Sequence, residues 1–167
     1  MTTAAAGTAD ARDSTGNVSD ARVSADDAAE VLDVLARYGQ LIDNRDWAHL
    51  RKVFTTDFSF GTGPNAVRGD EALARVINTV KPYHPHYTTD TALHRVDAST
   101  IKSWSKFLLV RTDGTTASGD YIDTFVRTAD GWRIKVRDFS RGTRPPSDPG
   151  GASTRTFTST YWRAPSS

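Results

Sequence analysis

The chain has no cysteine. That removes disulfides, thiolate metal sites and a thiol nucleophile from the possible chemistries. Charge of one sign is missing too: 21 Lys and Arg stand against 20 Asp and Glu, a net +1. A nucleic-acid partner, which needs a one-signed patch, is therefore not expected. No stretch approaches the ~18 consecutive apolar residues that cross a bilayer, so no membrane span is expected. The opening MTTAAAGTADARDSTGNVSD lacks the basic and apolar regions of a secretory leader, which makes cytoplasmic the expected compartment. No Gly-rich phosphate loop is present, so a nucleotide cofactor is not expected either. What remains at 167 residues and 37 % hydrophobic content is one domain with a modest core.

Its expected bounds are 24–142, with a disordered tail over 1–23 and a second tail over 143–167. The first tail is almost devoid of large apolar side chains and cannot offset its own ordering entropy. The second follows Pro145, Pro146, Pro149, Gly150 and Gly151. Its Phe157, Tyr161 and Trp162 suit it to fold back over a pocket mouth or a partner subunit.

Ser24 and Asp27 form a capping-box pair that opens a helix. Ala28, Val31, Leu32, Leu35, Gly39 and Ile42 give it one apolar stripe of helical period, with Asp33, Arg37 and Asn44 on the wet face. Tyr38 falls on a border of that stripe, where its hydroxyl is expected to reach water. A short helix is expected over Trp47–Phe54 with Asp46 as N-cap, then a turn at Thr55-Thr56-Asp57 and a short strand at Phe58–Phe60. A third helix runs from Glu71 to about Thr79, with Leu73, Val76, Ile77 and Val80 on one side. The pattern then changes to period two. Strands are expected at 86–96, 100–111, 116–127 and 132–141, with Asp113-Gly114 and Asp130-Gly131 as hairpin turns. Three helices followed by an antiparallel meander make an α+β fold.

Two places carry candidate chemistry. Asp43 lies in the last turn of the first helix, where the helix dipole disfavours a carboxylate by ~0.3–1 kcal/mol. The run Tyr83-His84-Pro85-His86-Tyr87 holds two of the four histidines. A neutral imidazole whose second nitrogen is fixed by a carboxylate is a good base near neutral pH, so Asp43 and His86 are read as an acid/base pair in an apolar pocket. His84 and His86 have His-x-His spacing, but without Cys or an obvious third ligand no metal is expected. His84, His49 and His94 are read as surface or packing residues. Leu35, Phe54, Phe60, Phe107 and Phe125 are expected to shape the pocket.

The run Tyr38…Asp43-Asn44-Arg45-Asp46-Trp47…Leu50…Val53-Phe54…Asp57 resembles the first helix pair of the SnoaL-like and scytalone dehydratase-like enzymes. His86-Tyr87-Thr88-Thr89-Asp90 resembles their His-containing strand, and Gly119–Asp123 with Asp130–Arg137 resembles their last hairpin. The resemblance covers about residues 28–142. It implies a nuclear transport factor 2-like cone, three N-terminal helices on a curved antiparallel β-sheet, and a homodimer or higher homo-oligomer. It also implies a cofactor-independent lyase, a dehydratase or related β-elimination enzyme, acting on a small hydrophobic or polyketide-like substrate. Isomerase or cyclase chemistry and a non-catalytic binding cone are the alternatives, because this superfamily changes chemistry readily.

In this resemblance Asp43 and His86 match the catalytic pair of scytalone dehydratase, and Tyr38 matches a helical Tyr of bile-acid 7α-dehydratase. Arg137 matches a pocket Arg of hexachlorocyclohexane dehydrochlorinase. Strict alternation puts Arg137 on the face of Arg133 and Lys135, so it reaches the pocket only if a bulge shifts the register. Leu35, Phe54, Phe60, Asp90, Trp104 and Tyr121 are the expected substrate contacts. Trp104 stands where scytalone dehydratase has a second His, and Tyr121 or Ile122 near its substrate-binding Asn.

Overall fold

The computed structural model describes residues 22–141. The two tails and the aromatic residues Phe157, Tyr161 and Trp162 lie outside the described residues. Helix α1 spans Ala25–Asp43, a 3-10 helix spans Trp47–Lys52, and strand β1 spans Phe54–Phe60. After a second 3-10 turn at Gly63–Asn65 come β2 (Val67–Arg68) and α2 (Gly69–Val80). Four long strands complete the fold: β3 (Tyr83–Asp97), β4 (Thr100–Arg111), β5 (Thr116–Thr128) and β6 (Gly131–Arg141). Among the described residues no helix is long and apolar enough to cross a membrane.

The strands form one sheet in the order β2-β1-β6-β5-β4-β3. The meander β3 to β6 is antiparallel, as its alternation and Asp-Gly turns predict. The sheet as a whole is mixed, because β1 joins β6 in parallel. The sheet curls around α1 and α2, and the core lies between: Val31, Val34, Tyr38 and Ile42 from α1, Ala72 and Val76 from α2, and Ile101, Phe107, Tyr121, Phe125 and Ile134 from the sheet.

Some local expectations are corrected. The short helix ends at Lys52 instead of Phe54, because the carbonyl of Val53 already accepts the Ile134 amide of β6 at 2.8 Å. Thr55-Thr56-Asp57 is no turn. It lies inside β1, where the five steps from Phe54 to Ser59 are spanned by only two of β6, Ile134 to Val136. Asp46 makes no cap bond; its carboxylate accepts from His49 Nδ1 at 2.7 Å instead. Leu32 is 45 % exposed, and Val34 takes its place in the buried stripe.

Ser24 does cap α1, its hydroxyl accepting the Asp27 amide at 3.2 Å. The Asp27 carboxylate does not complete the box. It takes donors from Arg95, Arg127 and Trp132 Nε1, and so pins the start of α1 to the sheet.

The other end of α1 sets the site. Arg45 adopts φ 57°, and the Arg45 and Asp46 amides fold back to the carbonyls of Ile42 and Leu41 at 3.2 and 2.8 Å. This is a Schellman closure with an arginine where glycine is usual. The Arg45 guanidinium then donates to the carbonyls of Lys81 and Tyr83 at 3.2 and 3.1 Å, tying the start of β3 to the end of α1. Gly39, one turn earlier, faces β3: a Cβ there would meet the His86 carbonyl at 3.5 Å, an ordinary contact. Gly39→Ala is therefore expected to stabilise the domain by about 0.5–1 kcal/mol through helix propensity. A urea midpoint that falls instead of rising would show that the strand approaches too closely for a methyl group.

Candidate active site

The closure of α1 onto β3 brings Asp43 against His86. Both carboxylate oxygens of Asp43 accept the His86 backbone amide, at 3.1 and 3.0 Å. Oδ1 also lies 2.6 Å from His86 Nδ1. A carboxylate there fixes the proton on Nδ1, so Nε2 carries the lone pair. The His86 side chain is 2 % exposed, against 19 % for Asp43, and among the described residues Nε2 is buried without a hydrogen-bond partner. Burial holds the imidazole below its ordinary pKa; Asp43 pulls it back up, while Arg45 and His84 add to the lowering. His86 is thus neutral at pH 7, a base with its lone pair turned to the interior. His84 is exposed, with Nδ1 3.9 Å from the same Asp43 oxygen.

A second polar unit lies inside the cone. Between Thr124–Phe125 of β5 and Val136–Ile134 of β6, one step on β5 spans two on β6, so Lys135 is a bulged extra residue. The bulge turns Arg137 inward, opposite Asp123. Their bidentate pair, at 2.8 and 2.7 Å, is wholly buried. The rings of Tyr38 and Tyr121, edge to face with each other, both lie against the guanidinium at 4.1 and 4.0 Å, and among the described residues Arg137 Nη1 has no hydrogen-bond partner. Burial alone would lower the Arg137 pKa, but the Asp123 charge outweighs it and holds the group above its ordinary value. Burial pushes the Asp123 carboxyl above its ordinary value and Arg137 opposes that rise; the two parallel N–H···O contacts are the geometry of a guanidinium–carboxylate pair. Burial, reinforced by Tyr38, also lifts the Tyr121 phenol well above its ordinary value, leaving a neutral hydroxyl.

Two cavities adjoin these groups. The cone interior holds a void of about 30 Å³ lined by Tyr38, Phe60, Tyr83, Phe107, Tyr121 and Phe139 among others. A cleft of about 320 Å³ lies between α1 and β3, bounded by Leu32, Leu35, Ala36, Gly39, Gln40, Asp43, His86, Tyr87, Thr88 and Thr91. Among the described residues no cluster of three or more His, Asp or Glu could hold a metal ion.

The remaining expected contacts separate. Tyr121 and Phe60 line the void and Leu35 the cleft. Tyr38 is 2 % exposed, so its hydroxyl does not reach bulk water; its ring meets Phe54 and Tyr121 edge-on at 6.0 Å each. Phe54 lines neither cavity and packs on Phe58 at 4.1 Å. Trp104 is on the outer face of β4, opposite Ser103 and Ser105, with Nε1 donating to Asp120 at 2.8 Å, so it is no wall of the cone. Asp90 is exposed because a register shift between Thr89 and Ala92, with φ 50° at Asp90, expels it from the face of His86.

Sequence reasoning missed Asp123 and Arg45. Tyr121-x-Asp123-x-Phe125 was the usable signal for the first: a carboxylate inside an inward-facing alternation needs a buried cation. Nothing in the sequence marks an arginine for a left-handed helix terminus.

Helices on a curved sheet, with an Asp–His pair at the α1–β3 junction, define a nuclear transport factor 2-like cone. The chain belongs to the SnoaL-like domain family, whose model matches residues 23–138. Among solved structures it is similar to Rv3472, a protein of unknown function from Mycobacterium tuberculosis (26 % identity, 75 % of this chain and 81 % of that one, TM-score 0.60). It is also similar to ActVI-ORFA from Streptomyces coelicolor (26 %, 69 % and 96 %, 0.57). A scytalone dehydratase candidate from Novosphingobium aromaticivorans (17 %, 68 % and 83 %, 0.57) shares the fold. No curated protein matches the chain.

Two outcomes follow from the geometry. His86 is expected to titrate below 6.5, read from its ring resonances by NMR. The unfolded chain then binds the proton more readily, so this residue's contribution to stability is complete above 6.5 and declines as pH falls from there toward the folded midpoint. A midpoint above 6.5 would show that Asp43 outweighs burial. Asp123→Asn leaves Arg137 buried without its counter-charge and is expected to cost about 3–5 kcal/mol. Denaturant unfolding checks it, and Asp123→Leu with Arg137→Met should recover most of the loss.

Proposed function

We propose that the chain is a cofactor-independent lyase that eliminates a β-leaving group from a small, largely apolar carbonyl compound. The observation that carries this reading is the Asp43–His86 contact at 2.6 Å together with a buried, unpartnered His86 Nε2. Nε2 takes the proton next to the carbonyl, and the C–H electron pair forms the new C=C bond as the leaving group departs. For a hydroxyl, the imidazolium returns its proton and water is released. Asp43 keeps the imidazole in the right tautomer and stabilises the imidazolium. Arg137 Nη1 and the hydroxyls of Tyr38 and Tyr121 are donors for the negative charge that develops on the carbonyl oxygen. The same proton transfer would serve an isomerase or cyclase. The family match and the scytalone dehydratase candidate that shares the fold support the enzymatic reading.

One observation favours a second reading, a cone that binds without reacting: the void of about 30 Å³ has room for a water or two. A substrate fits only if lining side chains move, and Phe60 and Phe139, stacked at 5.2 Å, form part of that wall.

The two readings part in deuterated water. A panel of β-hydroxy ketones, followed by NMR, should show α-proton exchange and loss of water. Asp43→Asn should slow this by about 10²–10⁴-fold, and His86→Ala should nearly abolish it. Unchanged rates in both variants would remove the dyad from the reaction. No exchange with any member of the panel would favour the binding cone.

A further inference from the structure

The cleft between α1 and β3 is a different space from the cone interior, and none of its lining residues lines the void. Its volume of about 320 Å³ is in the range of small-molecule sites. One wall is apolar, formed by Leu32, Leu35 and Ala36, while Gln40, Thr88 and Thr91 are polar. Tyr87 at the rim is 53 % exposed and Leu32 45 %, an arrangement suited to a ring or short apolar chain. At the floor is Asp43, whose carboxylate already accepts the His86 amide and Nδ1. Its side chain is still 19 % exposed, and a carboxylate has about four acceptor positions.

We infer that this cleft binds a neutral alcohol with an apolar body, whose hydroxyl donates to the outer side of Asp43 while its body lies along Leu32, Leu35 and Ala36. A neutral donor fits better than an ammonium group. The Asp43 oxygens already accept the His86 amide and Nδ1, and the positive charge at this junction is already supplied by the Arg45 guanidinium anchored there, with His84 3.9 Å away on the exposed side. An occupant would touch the group that orients His86, so cleft and dyad are coupled. The inference concerns binding and stands apart from the proposed elimination: it holds or fails whether or not the protein turns over any substrate.

Phenethyl alcohol and its methyl ether are suitable probes, titrated into the full-length ¹⁵N-labelled protein. The alcohol is expected to shift the amides of Leu32, Ala36, Gly39 and Thr88 saturably and to move the His86 ring nitrogens. The ether, which cannot donate, should bind more weakly by about tenfold or more, the scale of one hydrogen bond to a charged group. Ala36→Trp fills the cleft, and Leu32→Glu places a charge on its apolar wall; each should weaken binding about tenfold or more. Ala36 is exposed on α1 and Leu32 half-exposed, so neither change disturbs the core, and the amide spectrum verifies folding. Shifts confined to Val76, Tyr83 and Phe139 would place the alcohol in the cone and overturn the inference. So would equal affinity for alcohol and ether, undiminished binding in both variants, or no saturable shift.

Discussion

The clasp between the end of α1 and the start of β3 is the constraint on which the site depends. Among the described residues β3 is an edge strand of the sheet, with no strand on one side to hold it. Asp43 and Arg45 supply the missing hold. The carboxylate takes the His86 amide with both oxygens, and the guanidinium takes the carbonyls of Lys81 and Tyr83. Backbone and catalytic geometry are therefore one structure: the carboxylate that fixes the ring also fixes the main chain carrying it. This answers the cost of an acidic side chain in the last turn of a helix. The dipole disfavours it by less than the charge-assisted bonds to a backbone amide and an imidazole contribute.

The second constraint is the ion pair Arg137–Asp123 in the middle of the cone. Two charges out of water are expensive, and a pair of apolar residues would fill the space at less cost. The bulge at Lys135 and the two tyrosine rings over the guanidinium exist around this pair, and an unpartnered Nη1 remains after Asp123 is satisfied. Arg45 Nη1 in the clasp is left unmatched in the same way, and it is this spare N–H of Arg137 that the proposed elimination uses as a donor to the substrate oxygen.

Much of this was legible in the sequence. The four long strands announced themselves by period two and Asp-Gly turns, and α1 by its cap and apolar stripe. Asp43 and His86 were readable as a pair through family resemblance and through the oddity of the carboxylate's position. What was not legible follows from irregularity. Alternation placed Asp90 inside and Arg137 outside, and both placements failed at register shifts that sequence period cannot register. Trp104 was drawn into the pocket by analogy, although its neighbours Ser103 and Ser105 take the inner face of β4. The turn at Thr55–Asp57 failed because a parallel partner 80 residues downstream, Ile134 to Arg137, absorbs those residues as a distortion within a strand.

The two sides of the dyad meet different surroundings, and this bears on how a closed cone could work. Nε2 of His86 is buried, where a base is desolvated and its electrostatic partners act in a low dielectric. Asp43 meets the open cleft. A change in what contacts the carboxylate is thus transmitted through a single 2.6 Å hydrogen bond to a nitrogen that solvent does not reach. The clasp that builds the site also sets it against the cleft that Asp43 and His86 both line, and a buried base tuned by a partly exposed carboxylate is the consequence of placing the pair at a helix end against an edge strand.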